Sequence, residues 1–296
     1  MRAEAALIGC GADEILVIPP DLRPSRVSPS RRWVIGGTAA GLAAVCVGVA
    51  LPFRSAHRLR SFTSELGEIR HVPLEDGSRL TMNTDSTLSV DYARDRRTIR
   101  LMRGEAFFEV AKDPARPFIV VGPNAQVRTV GTAYSVRLTG GDEMRVLVAA
   151  GKVAIETVSE TAGAISTLEQ LWRSGAEGAR AVFVEAGQVA KVWQGKGGEE
   201  GNGLLVAVAS LAKDTPQRAL LWREGQLYLE GQTLAQAVSE FARYSRRRIV
   251  IADPALGETR VTGLFAAGDP EGFARAIALS LGAHVVRRAD SIVLAR

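Results

Sequence analysis

Hydrophobic and polar positions change rhythm several times along the chain. Residues 33–53 read WVIGGTAAGLAAVCVGVALPF, with no charged side chain. About 20 apolar residues suffice to cross a bilayer as a helix, whereas a core helix of that length would show a polar face. The run predicts a single transmembrane helix. Arg54-Ser55-Ala56-His57 follows it without a small-x-small cleavage signal, so the helix is expected to be retained. From 60 to 193 the rhythm is that of short strands, at 79–83, 98–102, 106–110, 118–121, 133–138 and 145–148, with further runs at 182–185 and 189–192. Turn residues separate them, among them Asp76-Gly77, Arg103-Gly104, Gly122-Pro123-Asn124 and Ala186-Gly187-Gln188. Strands of this length and spacing predict an all-β sandwich or β-roll, interrupted at 158–181 by a Ser-, Ala- and Gly-rich loop or short helix.

Residues 194–203, QGKGGEEGNG, hold five glycines. Such a stretch builds no core, and a linker is expected over 194–216. Beyond it the pattern is mixed. A strand at 227–229 leads into Thr233-Leu234-Ala235-Gln236, a capping-box sequence. Leu234, Ala237, Val238, Phe241 and Ala242 then share one helical face. Strands follow at 248–252 and 259–265. Asp269-Pro270 opens a second helix with Phe273, Ala276, Ile277 and Leu281 inward and Gly282 at its end. A hairpin about Ala289-Asp290 closes the chain. The expected architecture is mainly β with a small α+β C-terminal domain. Its parts are a short cytoplasmic segment (1–32), the membrane helix (33–53), the β domain (60–193), the linker (194–216) and the α+β domain (217–296).

Composition narrows the function. Lys and Arg number 37 against 32 Asp and Glu, a net +5 spread along the chain, which lacks the concentrated basic face of a nucleic-acid binder. The two cysteines, Cys10 and Cys46, leave 47–296 free of thiols. That suits an oxidising compartment, so the C-terminal mass is expected in the periplasm. Arginine counts on the two sides of the helix are too even to orient it alone. Ser30-Arg31-Arg32-Trp33 also fits a twin-arginine export signal, with two ordinary flanking arginines as the alternative. Gly37 and Gly41 give a GxxxG spacing that would let two helices pack closely.

Candidate chemistry is sparse. His57, His71 and His284 have no partner at metal-ligand spacing, and no phosphate loop, nucleophile elbow or dinucleotide fingerprint is present. Gly195-Lys196-Gly197 lacks the Ser or Thr of a phosphate loop. Asp76, Asp85 and Asp91 read as solvated turn caps rather than catalytic carboxylates. No enzyme activity, cofactor or metal is expected. Arg246-Arg247-Arg248 is a basic run that either complements a helix C-terminus or docks a partner. Small mixed sheets leave edges that pair with a partner's strand. The candidate edges are 259–265 and 291–295, with Val261 and Ile292 as the positions where a proline would test pairing.

Three stretches carry a resemblance: VPLEDGSRLTMNTD at 72–85, RGEAFFEVAKDPARPF at 103–118 and VGTAYSVR at 130–137. They resemble the FecR family, and Gly151-Lys152-Val153, Ala186-Gly187-Gln188 and Trp222–Leu227 continue the likeness over 60–296. The resemblance implies an inner-membrane, single-pass regulator (an anti-sigma factor) of an extracytoplasmic-function sigma factor. In such cell-surface signalling the periplasmic part receives a signal from the signalling domain of an outer-membrane TonB-dependent transducer, commonly in iron-uptake regulation. It also implies a C-terminal domain similar to the short N-terminal domain of secretins and TonB-dependent receptors. The family's helical sigma-binding domain precedes its membrane helix. Here 32 residues precede Trp33, broken by Pro19, Pro20, Pro24 and Pro29, which is too little for such a bundle. Either the chain begins at an internal start, or the gene is rearranged, or this member works without direct sigma-factor contact. The alternative reading is a periplasmic scaffold that binds envelope components.

Overall fold

The computed structural model describes residues 59–140, 142–157, 181–194 and 204–296, and the backbone of Ile15–Ile18. The first domain contains, in chain order, β1 (Ile15–Ile18), β2 (Arg60–Thr63), β3 (Arg70–Pro73), β4 (Arg79–Met82), β5 (Thr87–Tyr92), β6 (Arg97–Arg103), β7 (Glu105–Glu109), β8 (Phe118–Val121), β9 (Ala125–Thr129), β10 (Ala133–Thr139), β11 (Glu143–Ala150), β12 (Lys152–Thr157), β13 (Ala181–Glu185), β14 (Gln188–Gln194) and β15 (Leu204–Ser210). One sheet has the order β1-β15-β14-β11-β10-β7-β4-β3, the other β13-β12-β9-β8-β6-β5-β2. All pairings within them are antiparallel except β6 with β8.

Period-two alternation explains the layers. Leu80, Met82, Ala106, Phe108, Tyr134, Val136, Val146 and Val148 of the first sheet meet Leu88, Ile99, Phe118, Val120, Val127 and Ile155 of the second in one buried core. This is the expected mainly β architecture, in its sandwich form. The second half of the expected linker is a correction. Leu204–Ser210 pairs along β14 from Gln188↔Ser210 to Gln194↔Leu204, so the sandwich extends to Ser210. Its LLVAVAS sequence supplies the β-forming side chains that the preceding glycines lack. β1 in turn pairs with β15, from Ile15↔Ala207 to Ile18↔Leu204.

The second domain begins with α1 (Thr215–Ala219) and a 3-10 turn (Leu221–Glu224). It continues through β16 (Gln226–Thr233), α2 (Leu234–Phe241), β17 (Arg248–Ile251), α3 (Pro254–Gly257), β18 (Arg260–Ala266), α4 (Pro270–Leu281), β19 (His284–Arg287) and β20 (Ser291–Ala295). Both expected helix starts are built as their sequences suggest. Thr233 and Gln236 form the full capping box, Asp269 accepts from the Gly272 amide, and Gly282 ends α4 in the left-handed region. On α4 the buried stripe includes Ala274 and Ala278, while Ala276 faces solvent. Phe241 and Phe273 stack at 4.2 Å, with Phe265 edge-on to Phe273.

Two small sheets result, β16-β18 and β17-β20-β19. The candidate edge at 291–295 is a second correction. β20 lies between β17 and β19 and Ile292 is fully buried, because the most apolar strand takes the middle of the sheet. Among the described residues β18 pairs only with β16, so Val261 lies on an edge strand, with its side chain buried. Among the described residues no helix is long and apolar enough to cross a membrane. The expected span 33–53 lies outside the described residues, as do Gly37, Gly41, Arg31 and Arg32.

Candidate functional site

The strand β7 points two ways. Ala106 and Phe108 enter the sandwich core. Phe107 faces outward and is still only 3 % exposed, because the second domain covers it. Leu147 of β11 and Val189 of β14 share that outer face and join Leu220, Trp222, Leu227, Leu234 and Phe241 in a second apolar cluster. The Arg223 guanidinium lies 4.2 Å from the centre of the Phe107 ring. The outer face of the first sheet is thus a domain seam.

A chain of alternating charge crosses the seam. Glu105 accepts from Asn83 Nδ2 at 2.9 Å and from Arg243 Nη2 at 3.0 Å. Arg243 also pairs with Glu240. Glu240 in turn accepts from both terminal nitrogens of Arg137, at 3.2 and 2.9 Å. Glu105 and Arg137 belong to the sandwich, Glu240 and Arg243 to α2 and the turn after it. Neutral bonds flank the chain: Asn83 Nδ2 donates to Tyr244 Oη at 2.9 Å and Thr84 Oγ1 to the Arg243 carbonyl at 2.7 Å.

Burial shapes this electrostatics. Desolvation alone would raise the Glu240 carboxyl, but Arg243 and Arg137 outweigh it and hold the group below its ordinary value. Arg145, beside Arg137, is pulled below the usual guanidinium value, first by burial and then by that like charge. Backbone geometry brings the two sides close. Gly67 has φ +82°, and a Cβ there would lie 2.8 Å from the Tyr244 carbonyl oxygen. Gly104, at φ +87°, turns the chain into β7, where a Cβ would strike Ser86. Ser86 Oγ in turn accepts from the Glu105 amide at 3.0 Å.

Residues 60–154 match the family described as FecR protein. The matched stretch falls wholly within the first domain. No curated protein matches the chain. Two crystal structures, at 2.50 and 1.65 Å, of a candidate anti-sigma factor from Parabacteroides distasonis are similar in fold. They are 22 % and 21 % identical, each with a TM-score of 0.59, covering 80 % of this chain and 99 % of theirs.

The structure places the residues singled out in the sequence in different settings. Asp76 is a correction: it is not a solvated cap but is 1 % exposed and paired with the fully buried Arg97 at 2.6 Å. Tyr92 Oη and Ser78 Oγ donate to the same carboxylate. Burial would raise its pKa, and the bonds from Ser78, Arg97 and Tyr92 hold it below the ordinary value instead. Arg97 also donates to the Ala111 and Arg116 carbonyls and lies over Phe118. Asp85 makes an exposed pair with Arg103.

The basic run divides. Arg247 pairs with Glu271 of α4 and donates to the Arg288 carbonyl, so it ties the domain together. Arg246 and Arg248 are exposed. The expected complement to a helix C-terminus does not form, because α2 ends at Phe241. No cluster of metal-binding side chains occurs among the described residues.

The seam residues were not singled out from the sequence alone. The available signal was doubled hydrophobicity, Phe107-Phe108 and Val146-Leu147-Val148, which breaks the alternation of a strand with one wet face.

Proposed function

We propose that the protein is a FecR-type regulator of an extracytoplasmic-function sigma factor. In this reading it relays a signal from a TonB-dependent transducer across the inner membrane, with residues 33–53 as the span and 54–296 in the periplasm. The carrying observation is the seam. The segment that identifies the FecR domain, RGEAFFEV, turns Glu105 and Phe107 onto the C-terminal domain. A transducer bound to the C-terminal domain therefore acts directly on the domain nearer the membrane. The fold likeness to candidate anti-sigma factors supports a sigma-regulatory role, and the reading includes no catalytic step. Deleting the gene should change expression of a sigma-dependent reporter when the transducer's ligand is supplied, and an unchanged response would refute it.

A second reading is favoured by one observation. β1 pairs with β15, and a single crossing at 33–53 would put those two strands on opposite sides of the membrane. A scaffold without sigma-factor contact, with both strands in one compartment, accommodates the pairing. Alkaline phosphatase inserted in frame within the full chain, which keeps residues 33–53, separates the readings. Activity at residue 60 and none at residue 20 supports the single-pass regulator; equal activity at both sites supports the scaffold.

A further inference from the structure

The inner face of the three-stranded sheet supplies Ile249, Ile292 and Leu294 to the core of the C-terminal domain. The outer face is unusual. In register across it lie Val250, Val293 and Val286, through the pairs Val250↔Val293 and Val286↔Val293. Val250 is 44 % and Val286 49 % exposed, with Val293 between them at 9 %. The solvent side of such a sheet is ordinarily polar. Single exposed aliphatics carry no meaning, but a continuous row of three across adjacent strands is a cohesive apolar surface.

Charge says what fits it. One row away stand Arg248, paired in register with Ser291, and Arg288, both exposed. Arg246, also exposed, lies just upstream. On the other flank is His284, opposite Ala295. The nearby carboxylate, Asp290, sits in the hairpin turn, and Arg296 is paired with Asp253. The face is therefore aliphatic at its centre and cationic on one flank. Two copies laid face to face with their strands running the same way would bring like charges together.

We propose that this outer face, the Val250–Val293–Val286 row with Arg248 and Arg288, is the docking surface for a partner sheet with aliphatic side chains flanked by carboxylates. Resting on the reading above, that partner is the signalling domain of the transducer. The valines supply the desolvated centre and the arginines supply orientation and encounter rate. Contact is through side chains of the face rather than through the edge of β18.

Titration calorimetry of the detergent-solubilised full chain tests this. The probe is the isolated signalling domain of the TonB-dependent transducer encoded nearest its gene. Val250→Asp and Val286→Asp should each weaken binding roughly tenfold. Arg248→Glu with Arg288→Glu should weaken it and flatten its dependence on salt. Leu279→Asp, at an 89 % exposed position on α4, should bind as the parent does. Circular dichroism should match across the set. Parent-like binding by all the face variants overturns the surface and leaves the relay standing. Loss confined to Val261→Pro overturns it in favour of the β18 edge. A parent dimer dissolved by Val286→Asp makes the face a contact between copies and also overturns it. Failure of the parent to bind refutes the relay reading together with the surface.

Discussion

Two of the groups of sheltered charge among the described residues differ in what surrounds them. In the sandwich, the side chains of Arg97 and Asp76 are 0 % and 1 % exposed, and the partners they bond belong to the same domain. At the seam, Glu105, Arg243, Glu240 and Arg137 are 8, 21, 26 and 24 % exposed, and the pairs bridge two domains. A fully enclosed pair cannot separate without opening the core, since each partner would be left as a bare buried charge. A pair near solvent can part and be rehydrated at much lower cost. The first group is a pin within one domain, the second a joint between two.

The largest effect should come from breaking the pin. Arg97→Leu leaves the Asp76 carboxylate buried without its cation and should cost about 3–5 kcal/mol of global stability, read by denaturant unfolding. A cost below about 1 kcal/mol would mean that the pair is not what locks the sandwich.

Breaking the joint should cost less and act locally. Arg243→Ala removes the cation shared by Glu105 and Glu240, at about 2 kcal/mol after allowance for partial exposure. Hydrogen exchange should accelerate in α2 and on β10, while β6 and β8 inside the sandwich stay protected. Equal loss in both regions would erase the distinction between pin and joint.

Acid sharpens the comparison by a smaller effect. Both Glu240 and Asp76 are held below their ordinary values of 4.5 and 3.8. A depressed carboxyl contributes stability that is present above its unfolded pKa and lost as pH falls through its folded one. The contribution of Glu240 should therefore begin to fade below pH 4.5 and that of Asp76 only below 3.8. On acidification, tryptophan fluorescence from Trp222 at the seam should change before the near-ultraviolet signal of the buried Tyr134. The reverse order would contradict the assignment.

Much of the fold was legible because its causes are local. The capping box at Thr233, the Asp269-Pro270 helix start and Gly282 at its end each act within one turn of chain, and each occurs where the sequence puts it. The short-strand rhythm announced a mainly β domain because side chains on a strand alternate whatever they later meet. The seam was not legible. Glu105, Arg137, Glu240 and Arg243 are ordinary charges on a strand, a strand, a helix and a turn. Only packing brings Arg243 across 138 positions to Glu105. The same holds for Asp76, whose turn sequence predicts solvent and whose burial depends on Arg97 arriving from another strand.

The sequence by itself determined the short-strand character of the first domain, the capped starts of α2 and α4 and the glycine stop of α4, since propensity, alternation and capping are short-range. Tertiary structure decided what those elements face. It turned Leu204–Ser210 from linker into sheet, put Ser291–Ala295 in the middle of its sheet rather than at the edge, and covered Phe107 with a second domain. The physical reason is that burial and charge pairing are set by distances between remote segments, and those distances exist only once the chain has packed.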